Sequence, residues 1–292
     1  MNKQLTKILA FVLMFTFGIG VSIYALTAGY NSFAELSASE KAEDYTIKAH
    51  DIGSDTTILA IHGGGIERGT SEVVETLNGY GKYNTYLFEG NKVNGNGSLF
   101  LRAINFDEPK AVSLVKNSDY TLSVIGAAGN DEVTYIGGQN KILAELIRLH
   151  LVNQGYNVKP LNSIPERIAG ELNSNIVNKN ELFNGSYQIG GVQIAISNGL
   201  RDKLVTDPDL SMLKNYSNSI HKALSESWPT VASNLEKIAK SNGDAESNGV
   251  NALFSRLSPS KPDFDKKIDK ILEKGARTPE DLIKNVKEYA ED

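Results

Sequence analysis

The sequence predicts an α/β fold: a mixed sheet sandwiched by helices, with an N-terminal transmembrane helix before it and a C-terminal helical extension after it. Three observations carry that expectation. Short β-branched apolar runs alternate with helix-period segments between residues 30 and 200. One long uncharged apolar stretch lies within the first 30 residues. After about Asp207 the pattern turns wholly helical. At 292 residues the chain is long enough to bury a substantial core.

Met1 to Lys7 is polar and carries Lys3 and Lys7, and Ile8 to Leu26 then runs 19 residues without a charge. As a helix that run would reach roughly 28 Å, close to the hydrocarbon thickness of a bilayer. It is longer than the apolar region of a secretory signal, and Ala25-Leu26-Thr27-Ala28 lacks a clean Ala-x-Ala site. Residues 1–29 therefore read as an uncleaved membrane anchor, with a cleaved signal as the alternative. Lys3 and Lys7 would stay cytoplasmic. The expected location is the cell membrane with the body extracellular, or secreted.

The body spans residues 30–226. Asn31-Ser32 opens a short helix from Phe33 to Lys41. Thr56–Ile61 is a continuous apolar run and reads as a strand covered on both faces. It ends in His62-Gly63-Gly64-Gly65-Ile66-Glu67, and Thr70-Ser71-Glu72 starts a helix to about Tyr80. Tyr83–Phe88 is a second strand, and the Asn/Gly-rich residues 91–97 form a loop. Asp107-Glu108-Pro109 opens a helix to about Val115, with Pro at its first turn. Tyr120–Ile125 is a third strand, followed by the loop Gly126–Asp131. Gly138–Asn153 carries apolar residues at helical spacing, with a wide core-facing stripe. Pro165–Asn173 reads as another helix and Gly191–Ile196 as a further strand.

Residues 227–292 form a tail. Helices are expected over Asp209–Trp228, Pro229–Lys240, Asp263–Lys274 and Pro279–Ala290. Ser241–Asn251 and Ser258–Pro262 read as linkers. Thr278-Pro279-Glu280-Asp281 combines a capping hydroxyl, a first-position Pro and acids against the helix dipole. Charges of both signs interleave in the last pair, which fits a solvated helical tail or a docking module for a protein partner.

A net charge of −5 excludes a strongly basic nucleic-acid binder. Cysteine is absent, so disulfides, thiolate metal sites and Cys nucleophiles are excluded. The histidines are His50, His62, His150 and His221, and any imidazole chemistry must come from these. His150 falls in an apolar helical stripe and reads as a core or helix-end residue. His221 reads as surface, and His50 as an edge or loop residue.

A strand ending in His, then a glycine bend and a Glu, can place both side chains on one metal ion at the carboxyl edge of a sheet. His62 and Glu67 have that pattern. The same wording also suits a glycine-rich turn with a surface His, or an oxyanion loop. The oxyanion reading needs a G-x-S-x-G elbow, which the sequence lacks.

The longer wording is more specific. YNSFAELSASEKAEDYTI (30–47), IHGGGIERGTSE (61–72), INFDEP (104–109), SVIGAAGNDEVTYIGG (123–138) and GGVQIAISNGLR (190–201) occur in one order. Together they resemble the poly-γ-glutamate hydrolase family of bacilli and their phages, over about residues 30–225. The resemblance implies a zinc-carboxypeptidase-like fold with one catalytic zinc. It makes His62 and Glu67 two of the zinc ligands.

The same resemblance places the third ligand, a His, where this chain has Ile125. It places the catalytic Glu where this chain has Ala195. An Asn-Arg pair that holds a substrate carboxylate falls at Asn184-Gly185, without the Arg, and the family's Leu-His-Ile-Thr-Ser is replaced by Leu99-Phe100-Leu101-Arg102-Ala103. Zinc is then expected to bind weakly or not at all, with Asp107, Asp131 or Glu132 as conceivable substitute ligands. Asn184 and Arg201 are candidate substrate contacts, although Arg201 also suits an ordinary salt bridge. Ser71 is a candidate for orienting Glu67, Asn105 and Asp107 for supporting the metal loop, and Tyr135 for packing.

Three functions follow from this reading. One is a degenerate zinc-peptidase-like protein that binds polyglutamate or wall peptide. Another is an active zinc amidase with a rearranged site that cleaves γ-glutamyl bonds. The last is a structural or partner-binding surface protein.

Overall fold

The apolar runs become the middle of a single six-stranded sheet. A computed structural model describes residues 29–180, 189–240 and 261–291. In chain order the elements are α1 (Phe33–Ser39), β1 (Tyr45–His50), β2 (Thr56–Gly64), α2 (Thr70–Asn78), β3 (Asn84–Gly90) and α3 (Pro109–Lys116). Next come β4 (Tyr120–Ala127), β5 (Thr134–Gly138), α4 (Lys141–Asn153), α5 (Glu166–Ala169), β6 (Val192–Ser197) and α6 (Asn198–Thr206). The chain then continues through α7 (Ser211–Lys222), a π-helical turn (Ala223–Ser227), α8 (Trp228–Lys240), α9 (Lys261–Glu273) and α10 (Pro279–Glu291).

The strand order is β1-β3-β2-β4-β6-β5. The inner four strands are parallel, and β1 and β5 pair antiparallel at the edges. The sheet is therefore mixed and lies between helices, as expected. Alternate residues of each strand feed two apolar layers. Ile58, Ala60, Leu122, Val124, Ile194 and Ile196 face the layer that includes residues of α2, α4, α7 and α8. Leu59, Ile61, Ile125, Ala127 and Ala195 face the opposite layer, with Leu36 of α1 and Leu114 of α3.

Several expectations are corrected in detail. The two edge strands carry no continuous apolar run: β1 is half exposed, and β5 ends in Gly137-Gly138. Those glycines finish a strand, so α4 starts at Lys141, where Asn140 caps it. The helix expected over Pro165–Asn173 shrinks to α5, because Gly170 turns left-handed (φ 70°) and stops it. The expected break before Pro229 is absent. A proline inside a helix lacks an N–H and crowds the carbonyl four residues back. Here the preceding turn is π-helical, Trp228 N bonding to Ala223 O, so the chain runs from α7 into α8.

The tail is not a solvated appendage. Phe264, Ile268 and Ile271 of α9, and Leu282 and Val286 of α10, are buried in the same apolar layer as β2, β4 and β6. Its interleaved charges form exposed pairs such as Lys284–Glu288, on the outer side. The linker 241–251 and the first residues of the second linker lie outside the described residues, and Lys261 and Pro262 already belong to α9.

The membrane-spanning part of the expected fold class is also corrected. Among the described residues no helix is long and apolar enough to cross a membrane. Residues 8–26, on which that expectation rested, lie outside the described residues. A membrane anchor and a cell-membrane location with an extracellular body are therefore not retained.

Candidate functional site

The site is built where β2 leaves its neighbour. The β2–β4 pairing ends at Leu59↔Ser123, and the β2–β3 register slips between Ala60 and Gly63. The chain then turns back on itself, with Ile66 N on Gly63 O and Glu67 N on His62 O at 2.8 Å. That turn carries the Glu67 carboxylate into the gap beside β4. Gly126 N, at the end of β4, donates to Glu67 Oε2 at 2.6 Å.

His62 and Glu67 meet. His62 Nδ1 lies 3.0 Å from Glu67 Oε2, and His62 Nε2 donates to Leu101 O at 2.8 Å. A carbonyl on the far ring nitrogen fixes the imidazole's orientation. Phe100 stacks on the ring with centroids 4.2 Å apart. His62 is 2% exposed. Thr70, read from the sequence only as part of a helix start beside the site, also holds the turn: its hydroxyl donates to Glu67 O at 2.9 Å and lies 3.3 Å from His62 O. Its place at the start of α2, just after the glycine turn, was the available signal.

The positions that the resemblance gives to the third ligand and the base are apolar. Ile125 and Ala195 are register partners on β4 and β6, and Tyr135 of β5 pairs with Ala195 on its other side. Ile125 is 6% exposed and Ala195 fully buried, in the layer that Tyr135 also packs against. Neither side chain has a lone pair or a proton to give.

The remaining candidates have other partners. Ser71 Oγ accepts from Gly64 N at 3.2 Å, so it holds the glycine turn rather than Glu67. Asp107 is exposed and accepts from Phe33 N at the start of α1, and Asn105 N closes a turn onto Arg102 O. Glu132 is ion-paired with Lys203. Asn184 lies outside the described residues.

Arg201 is 7% exposed. Its Nε donates to Ile196 O at 3.0 Å, its Nη1 to Arg68 O at 2.5 Å, and its Nη2 to Asn198 Oδ1. It ties the turn after β2 to the end of β6. Burial lowers its pKa, against the pull of Glu67, Asp202 and Glu72. A Cβ on Gly126 would sit 2.8 Å from Glu67 Cδ and 2.9 Å from Arg201 Nη2, so a larger residue there must push these side-chain ends aside.

The other histidines are structural. His150 Nε2 lies 2.9 Å from Ser227 Oγ. His221 is half-buried: it stacks on Tyr80 at 3.8 Å and lies 2.7 Å from the Tyr83 hydroxyl. His50 ends the exposed half of β1.

Residues 30–227 match the family described as poly-gamma-glutamate hydrolase. The chain belongs to the poly-γ-glutamate hydrolase family. Among its relatives is the UPF0714 protein YndL of Bacillus subtilis (strain 168), 37% identical over 183 residues, which are 63% of this chain and 69% of YndL. The SPbeta prophage-derived UPF0714 protein YoqZ of the same organism is 39% identical over 151 residues, 52% of this chain and 54% of YoqZ.

Two solved structures share the fold. A zinc-free apo form of YndL matches at TM-score 0.61 and 33% identity, covering 68% of this chain and 98% of that one. A bacteriophage poly-γ-glutamate hydrolase matches at TM-score 0.60 and 25% identity, with the same coverage.

Zinc is the metal of this family, and the residues here do not fit it. His62 and Glu67 can reach one ion, but a catalytic zinc ordinarily takes three protein ligands. Ile125, where the resemblance puts the third ligand, is a buried aliphatic residue. Among the described residues no group of three or more His, Cys, Asp or Glu is placed to hold a metal.

Proposed function

We propose that the protein uses a poly-γ-glutamate hydrolase fold to hold polyglutamate or a related wall peptide, with little or no cleavage by the family's zinc chemistry. The observation that supports this reading is the pair Ile125↔Ala195, two buried aliphatic residues side by side on β4 and β6, at positions that the family resemblance gives to a zinc ligand and the catalytic base. The two losses act separately. A two-ligand site gives up a share of a zinc-binding free energy that totals only about 10–16 kcal/mol even in closed structural sites. A general base contributes about 10²–10⁴-fold in rate, and a methyl group supplies none of it.

The glycine turn keeps its shape without those groups. Arg201, Ser71, Thr70 and the Leu101 carbonyl hold it from the protein side. A preserved turn without the family's reacting groups suits binding better than turnover.

Calorimetric titration with polyglutamate, followed by sizing of the recovered polymer, tests this. The expected result is saturable binding with the polymer length unchanged. Shortened polymer would contradict the loss of cleavage, and absence of binding would contradict the holding role.

A further inference from the structure

Two exposed arginines border the glycine turn. Arg68 follows Glu67 directly, and its carbonyl is held by Arg201 Nη1 at 2.5 Å. Arg102 follows Leu101, whose carbonyl receives His62 Nε2 at 2.8 Å, and its own carbonyl accepts from Asn105 N at 2.8 Å. Consecutive Cα atoms are about 3.8 Å apart, so each arginine starts one short step from a group that touches His62 or Glu67. Both backbones are tied to the turn.

The acids of the same region are already engaged. Glu67 Oε2 accepts from Gly126 N and lies against His62 Nδ1. Glu72 Oε2 accepts from Gly69 N at 2.9 Å, and Asp107 Oδ1 from Phe33 N at 2.5 Å. The buried guanidinium of Arg201 is spent on Ile196 O, Arg68 O and Asn198 Oδ1. Among the described residues, the side chains of Arg68 and Arg102 have no ion pair and no hydrogen bond.

Two unspent guanidiniums beside satisfied carboxylates ask for carboxylates from outside the chain. Guanidinium is a planar fork that takes a carboxylate in two parallel hydrogen bonds. The net charge of −5 opposes a polyanion at a distance. At physiological salt that repulsion is screened beyond about 8 Å, so the charges at contact decide.

We propose that Arg68 and Arg102 form a two-point anchor for an anionic polymer, each taking a carboxylate of polyglutamate where the polymer crosses the glycine turn. This inference rests on the polyglutamate reading above and gives it its contact residues. The anchor supplies positive charge from the chain itself.

Calorimetric titration of the full chain with polyglutamate tests it, with the same polymer amidated at its carboxyls as the neutral counterpart. The native chain is expected to bind polyglutamate, more weakly as salt rises, and not the amidated polymer. Arg68→Gln and Arg102→Gln should each weaken binding about threefold and the double variant about tenfold, the worth of exposed ion pairs. Arg277→Gln removes another exposed arginine, between α9 and α10, and should leave affinity unchanged.

Native affinity in the double variant would overturn the anchor while leaving polyglutamate binding in place. So would an equal loss in Arg277→Gln, or equal binding of the amidated polymer. Absence of any polyglutamate binding overturns the anchor together with the reading beneath it. If the double variant fails to fold by circular dichroism, phenylglyoxal modification of the native chain decides. Polyglutamate should then shield Arg68 and Arg102 but not Arg277, and equal modification of all three overturns the anchor.

Discussion

The turn after β2 and the paired strands β4 and β6 meet at one place and present opposite chemistry. On the turn, His62 and Glu67 stand 3.0 Å apart, held by a carbonyl, a backbone N–H and the Thr70 hydroxyl. On the strands, Ile125 and Ala195, where the resemblance puts a ligand and the base, carry hydrocarbon only and are buried in one apolar layer. The difference lies in what each half does for the fold. His62 and Glu67 take part in the hydrogen bonds that shape the turn. The strand positions contribute only side chains, because the ladder itself is backbone. An aliphatic residue there keeps the sheet and removes the chemistry.

Restoring the strand half should have the largest effect. Ile125→His together with Ala195→Glu places an imidazole and a carboxylate where the resemblance puts the ligand and the base, on an intact ladder. Zinc affinity should rise by at least about 100-fold, roughly 3 kcal/mol, a modest share of a full zinc site. Metal analysis after dialysis measures it, and failure of the double variant to gain zinc would break the assignment of those two positions.

The next effect concerns the tail. Leu282 of α10 is 1% exposed within the sheet's own apolar layer. Leu282→Ala should destabilise the whole fold by about 2–4 kcal/mol in urea unfolding. A tail lying free in solvent would give under about 0.5 kcal/mol.

Gly126→Ala sharpens the description of the turn half. The added methyl would meet Glu67 Cδ and Arg201 Nη2 inside 3 Å. The expected loss is about 1–3 kcal/mol, with the sheet retained by circular dichroism. A neutral result would mean that Glu67 and Arg201 do not converge on Gly126.

The smallest effect is in pH. Burial lowers the pKa of both His150 and His221. The unfolded chain then takes up protons at these residues before the folded one does, so stability falls as pH drops below about 6.5, the unfolded value. Above that value the penalty is absent. Thermal unfolding between neutral and mildly acidic pH should show the fall, and His150→Gln should make it shallower. An unchanged slope would remove His150 from the account.

Much of this was legible in the residues. The continuous runs at Thr56, Tyr120 and Gly191 became β2, β4 and β6, because strands covered on both faces must be apolar throughout. The edge strands were hidden for the opposite reason: β1 alternates with polar residues such as Thr46 and Lys48, and β5 is short and ends in glycines. The His62–Glu67 contact was readable from a strand end and a glycine bend. Phe100 over His62 and the Leu101 carbonyl beneath it were not, because they arrive from a segment about 40 residues away with no periodicity to reveal the approach. Arg201 was visible as a charge, but its engagement with three acceptors depends on how β6 and the turn pack.

Zinc content of the native chain, measured after equilibrium dialysis against dilute zinc and paired with a polyglutamate digestion, tests the central claim most directly. The account predicts far less than one zinc per chain and polymer of undiminished length. One tightly held zinc per chain, with short glutamate oligomers released, would contradict it.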